Sequence, residues 1–188
     1  MRKILALCGS LRAQSSNARL LHVAQKLAPA GVQITLFEGL GELPHFNPDL
    51  DTDLDTDESP ASVADFRAQL RNANGILICT PEYAHGLPGS FKNALDWTVS
   101  SGEWMEKPTL ILKSSRSNFA HDSLVEVLTT IMAKIRVCEV FLTGNGMDET
   151  AMLADETLAA TLRGGLADFA AQIEAALESA HLTVGKSR

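Results

Sequence analysis

Short apolar runs alternate with amphipathic stretches along almost the whole chain. Residues 3–8 read as a short buried strand. In residues 17–28, Leu20, Val23, Ala24 and Leu27 recur at helical spacing and share one face. Gly31 stops that helix, and residues 32–37 read as a second strand. A long loop follows. Val63, Phe66 and Leu70 mark a helix over residues 61–71, and residues 75–79 form an almost wholly apolar third strand. The same alternation predicts a helix over 90–99, a strand over 109–112, a helix over 124–135 and a strand over 137–142. A last helix runs from about residue 155 to 180, with Leu158, Leu162, Leu166, Phe169, Ile173 and Leu177 along one stripe.

Five apolar strands separated by helices predict an α/β fold, a parallel sheet covered on both faces. Right-handed crossovers and five strands favour a flavodoxin-like, doubly wound sheet of order 2-1-3-4-5. No repeat or linker divides residues 1–188, so one domain is expected. Ligands of such sheets lie beyond the carboxyl ends of the strands. The loops over residues 9–17, 80–89 and 113–121 are therefore the candidate site.

The overall make-up narrows the function. A formal net charge of -7 argues against a nucleic-acid partner and against an anionic membrane surface. No apolar run approaches the roughly 18 residues that span a bilayer. The first residues, MRKILALCGSLRAQ, carry two basic residues and a short apolar stretch, as a signal peptide does. Polar residues follow at once, so a buried strand is the expectation. Cys8, Cys79 and Cys138 lie in or at the ends of strand-like runs without a C-x-x-C pair. Reduced core thiols and a cytoplasmic location are expected. Six acids fall within residues 49–58. The glycine at the sixth position and glutamate at the twelfth of a calcium loop are missing, so a solvated loop is expected. His22, His45, His85, His121 and His181 show no metal-ligand spacing. There is no G-x-S-x-G elbow of a hydrolase. Gly185, Lys186 and Ser187 have no strand before them or helix after them, so they read as tail rather than a phosphate loop.

The first loop, Gly9 to Asn17, leads into a helix start, which offers unpaired N–H groups and a partial positive charge. Ser10, Ser15, Ser16 and Asn17 add hydroxyl and amide groups, and Arg12 adds a planar cationic fork suited to phosphate. An N-cap accounts for one serine, not for the whole set. An anion site is expected. In the second loop, Pro81, Pro88 and two glycines fix an irregular backbone whose N–H groups can face a planar ligand, beside Tyr83.

The pair GSLRAQSSN and PEYAHGLPGSFKNALDW resembles the NADPH-dependent FMN reductase family of flavin, quinone, chromate and azo-dye reductases. The resemblance implies a flavodoxin-like fold, FMN as cofactor and NADPH or NADH as donor. It implies that Ser10, Arg12, Ser15 and Asn17 hold the FMN phosphate. Pro81, Glu82 and Tyr83 would lie against the ring and ribityl chain. Ser16, Ala84, His85, Gly86 and Ser115 complete the implied contact set. Relatives often carry asparagine at Ala84; His85 either replaces it in part or faces solvent. Relatives also often have a small-residue loop at Ser115–Ser117, where Arg116 here either narrows the pocket, draws the 2′-phosphate of NADPH, or faces water. Lys92, Asn93, Asp96 and Trp97 belong to the motif, and helix packing or subunit contact is expected of Asp96 and Trp97. Phe91, Leu95, Trp97 and Trp104 are expected to supply an apolar patch for a homodimer or homotetramer.

Stacked hydride transfer needs no side-chain acid, so no catalytic residue is expected. The implied activity is electron transfer from reduced nicotinamide to a flavin, quinone or similar small acceptor. The competing expectation is a flavodoxin-type electron carrier with no substrate site of its own.

Overall fold

A computed structural model describes residues 1–51, 59–142 and 146–184. Strand β1 (Arg2–Cys8) leads to helix α1 (Ser16–Lys26) and strand β2 (Val32–Leu36). Helix α2 (Ala61–Asn72), strand β3 (Gly75–Cys79), helix α3 (Gly89–Asp96) and strand β4 (Pro108–Lys113) follow. Then come helix α4 (Phe119–Thr130), strand β5 (Lys134–Glu139), helix α5 (Glu149–Ala154) and helix α6 (Glu156–Val184). The sheet is parallel with order β2-β1-β3-β4-β5, as the alternation predicts.

Side chains of a strand alternate between the two faces. Ile4 and Ala6 pack with Leu20, Leu21 and Val23 of α1, Met152 of α5 and Leu162, Leu166 and Phe169 of α6. Leu5 and Leu7 pack on the other face with Phe66 of α2, Phe91 and Leu95 of α3 and Leu124 and Leu128 of α4. Gly75 lets the sheet meet α6, because a Cβ there would stand 2.7 Å from Ile173 Cδ1.

Some expectations are corrected. Helix α4 starts at Phe119 and β5 at Lys134, each earlier than the apolar pattern places them. The last helix, α6, falls where the apolar stripe places it, and a short further helix precedes it: Asp148 caps α5 by accepting from Ala151 N–H at 2.8 Å. Phe91, Leu95, Trp97 and Trp104 are each 0% exposed, so they are core and cannot form a subunit patch. Trp97 instead donates from its indole to the Pro44 carbonyl at 2.8 Å, and Asn93 bonds Pro44 and Phe46. Lys92 and Asp96 pair with each other one turn apart.

In the acidic run, residues 52–58 lie outside the described residues, as do 185–188. Asp51 is not solvated: it takes hydrogen bonds from the buried Arg67 guanidinium at 2.5 Å and from Ser100 Oγ at 2.7 Å. Cys79 and Cys138 are buried and Cys8 is half-buried, all as free thiols. No described helix is long and apolar enough to cross a membrane, and the described residues hold no metal-ligand cluster.

Candidate functional site

The first loop is folded by its own serines. Ser15 is the N-cap of α1; its backbone is extended and its Oγ accepts from Ala18 N–H at 3.3 Å. Ser10 Oγ accepts from Arg12 N–H at 3.3 Å, and the Arg12 carbonyl accepts from Ser15 N–H at 3.0 Å. The N–H groups of Ser16 and Asn17 open α1 and have no intrahelical acceptor. Arg12 is exposed and makes no ion pair among the described residues. Gly9 is required by crowding, since a Cβ there would stand 2.0 Å from Thr80 Oγ1 of the next loop.

Asn17 has a double part. It is 7% exposed, and its Oδ1 accepts from Cys79 Sγ and from Ser114 Oγ, each at 3.1 Å. One amide oxygen thus ties the start of α1 to the ends of β3 and β4. Its Nδ2 donates to no protein group among the described residues. A buried residue with an unused donor, beside two free N–H groups and an unpaired arginine, fits a phosphate group.

The second loop turns back on itself. Tyr83 and Gly86 exchange N–H···O bonds of 3.0 Å, which closes a two-residue turn over Ala84 and His85. Ala84 has φ 49° and His85 φ 59°. Two central residues at positive φ define a type I′ turn, where asparagine is favoured and alanine is strained. The asparagine common at Ala84 in resembling sequences therefore suits the backbone on its own. The turn leaves Tyr83 53% exposed. The His85 ring stacks on Phe119 at 4.2 Å between centroids and 22° between planes.

Glu82 reaches from the second loop to the third. Its carboxylate accepts from Ser117 Oγ at 2.7 and 2.8 Å and from Ala120 N–H at 3.0 Å. It thereby caps α4, where a negative charge is favoured. These bonds, the Ala120 N–H first and then Ser117, hold its carboxyl below the usual carboxylate range, with smaller help from His85. The backbone of residues 81–83 and the exposed Tyr83 ring stand beside this clasp. Ser115 Oγ accepts from Ser117 N–H at 3.1 Å, which shapes the third loop. Arg116 is exposed, without an ion pair among the described residues.

Two groups went unsuspected in the sequence. Cys79 is wholly buried at the foot of the first and second loops. Burial, and then the neighbouring Cys8, push its thiol far up, so it stays S–H. His121 lines a cleft under the third loop with Thr80, Glu82, Ser114 and Ser117. Its Nδ1 is buried without a hydrogen-bond partner among the described residues. Burial and then Lys113 push its pKa down, so the ring stays neutral. Spacing gave no sign of either, because the groups around them in the fold come from distant parts of the sequence.

The structure brings Ser10, Arg12, Ser15, Ser16 and Asn17 together at the start of α1, and Pro81, Glu82, Tyr83, Ala84, His85, Gly86 and Ser115 along the neighbouring strand ends. The chain is similar to known proteins. A 2-hydroxy-1,4-benzoquinone reductase of Burkholderia sp is 38% identical over 116 residues, 60% of either chain. A quinone reductase of Escherichia coli (strain K12) is 34% identical over 116 residues, again 60% of either chain. The matched part thus spans about three fifths of these curated relatives. The solved structure of FerB from Paracoccus denitrificans, a flavoenzyme NAD(P)H:(acceptor) oxidoreductase, superposes with a TM-score of 0.73 and 27% identity. That superposition covers 93% of this chain and 98% of FerB. The family model described as NADPH-dependent FMN reductase matches residues 2–145, the stretch that holds all three loops, and the chain belongs to that family.

Proposed function

We propose that the protein is an FMN-dependent NAD(P)H oxidoreductase that reduces a small quinone-like acceptor. The observation that carries this reading is the unused Asn17 amide donor at the opening of α1, next to Arg12 and the free N–H groups. The activities for which the quinone reductases and FerB are named support it.

Arg12, the Ser10 hydroxyl, the Ser16 and Asn17 N–H groups and the Asn17 amide would hold the phosphate, with Ser15 shaping the loop. The backbone of residues 81–86 and Ser115 would line the ring. Bound FMN supplies the redox chemistry of hydride uptake and electron release. The chain contributes the rest. The loops orient donor and acceptor, and the small Ala84 and Gly86 leave room for a second flat molecule. No side chain moves a proton.

Arg116, exposed and without an ion pair among the described residues, is the proposed contact for the 2′-phosphate of NADPH. The protein is proposed to act as one domain, in the cytoplasm, and as a homodimer or homotetramer. The exposed Tyr83 and Phe119, rather than the buried tryptophans, would face a neighbouring subunit near the site.

Anaerobic mixing of the purified protein with FMN and NADPH tests the reading. Bleaching of bound flavin, and steady turnover with a quinone but no protein partner, are expected. Bleaching without turnover would favour the electron carrier. No FMN binding by calorimetry would sink both. A scattering mass of about 20 kDa, that of the 20.2 kDa chain, would rule out the assembly.

A further inference from the structure

The two ends of an amide side chain are nearly the same shape but opposite in chemistry. One accepts hydrogen bonds and the other donates them, and the neighbours decide which way it points. For Asn17 the choice matters. With Nδ2 turned to the loop over residues 9–17, an anion there gains a donor. With Oδ1 turned outward, it meets a lone pair instead.

We propose that Cys79 and Ser114 are positioning residues that set this orientation: together they occupy both lone pairs of Asn17 Oδ1 and so turn the NH2 group toward the anion. The inference rests on the reading that the start of α1 holds a phosphate. Each contact is 3.1 Å, and the two donors arrive from separate segments, Cys79 from the end of β3 and Ser114 from the residue after β4. Their agreement on one oxygen is what fixes the amide. A serine hydroxyl can donate or accept, so Ser114 alone leaves the choice open. A thiol is a poor acceptor, and this one is wholly buried, so Cys79 acts as donor. Its raised pKa keeps the proton on sulfur throughout the working range, so the bond does not switch with pH. The thiol would thus affect a ligand it does not touch.

The test compares Cys79→Val, which fills the space without a donor, with Cys79→Ser, which restores one. The probe is inorganic phosphate, titrated into flavin-free protein while the Asn17 side-chain NH2 signal is followed by NMR. FMN and riboflavin are titrated in parallel. In the unaltered protein, phosphate is expected to shift that signal. Cys79→Val should weaken phosphate and FMN by the same factor, about three- to tenfold, part of the worth of one hydrogen bond to a charged group. Riboflavin, which lacks the phosphate, should be unchanged, and Cys79→Ser should return to within about twofold of the starting affinity. Ser114→Ala provides the second donor deletion should the valine variant misfold, with the same selective loss expected. Equal phosphate affinity in the donor deletions and the unaltered protein would overturn the proposal. So would an equal fall for riboflavin and FMN, or a silent Asn17 signal. Phosphate binding that moves the Asn17 signal, in a protein that ignores FMN, would instead defeat the proposed function and leave the positioning role standing.

Discussion

Within the first loop, hydrogen bonds join residues two or three apart, such as Arg12 to Ser10 and Ala18 to Ser15. The second and third loops are joined by bonds that cross 35 and 38 residues, from Ser117 and Ala120 to Glu82. The His85–Phe119 stack adds a second long-range link. The phosphate end is thus shaped mostly by its own sequence, and the ring end by a clasp between distant segments. Changes at the first end should alter affinity while the fold stays intact. Changes at the second should shift geometry and act on several ligands together.

The largest expected effect sharpens the first half of that contrast. Arg12→Ala should weaken FMN by about 1.5–3 kcal/mol, a tenfold to hundredfold loss. Its melting temperature should not move, because the side chain is exposed and has no partner among the described residues. Calorimetry with a thermal scan reads both, and unchanged FMN affinity would take Arg12 out of the site.

Glu82→Ala breaks the clasp. It should raise the Michaelis constants for nicotinamide and quinone together, by less than the Arg12 factor, and Glu82→Gln should fall between. A loss confined to FMN phosphate contacts, visible as unchanged riboflavin affinity, would contradict a geometric role. Smaller still is Arg116→Ala. It should raise the Michaelis constant for NADPH a few-fold, about the worth of one exposed ion pair, and leave NADH alone. Equal effects on both donors would make Arg116 a surface residue only.

The smallest effect is on pH-dependent stability. His121 has a folded pKa below its ordinary value of about 6.5. The unfolded chain therefore takes up that proton first as pH falls. Stability is lost on acidification through the unfolded value and keeps falling down to the folded one. Glu82, also depressed, loses its contribution only further down, as pH falls through its own folded value. His121→Gln should flatten the melting-temperature profile just below neutrality without touching the more acidic limb. An unaltered profile would mean that His121 protonates freely in the fold.

These contrasts also explain what the sequence disclosed. The strand order and the first loop were legible, because apolar periodicity and a serine cap are local signals. The start of α4 was not. Its cap is the Glu82 carboxylate, 38 residues upstream of the Ala120 N–H. The second task of Asn17 was equally hidden, since its donors lie 62 and 97 residues away. Periodicity marks Phe91, Leu95 and Trp97 as apolar without saying whether they face the sheet or a neighbour. The structure turns them to the sheet. At Ala84 the resemblance pointed to a ligand contact, whereas the positive φ supplies a backbone reason for asparagine.

Strand β5 closes one side of the sheet, no described strand pairs with its outer edge, and Val137 on it is 44% exposed. Such an edge can recruit strands from other chains and seed aggregation. Here Lys134, Arg136 and Glu139 punctuate Ile135, Val137 and Cys138, so an incoming strand would have to bury or pair charges of both signs. The last strand of the sheet therefore works as its gatekeeper: it is apolar enough to pair with β4 and too charged to welcome a stranger.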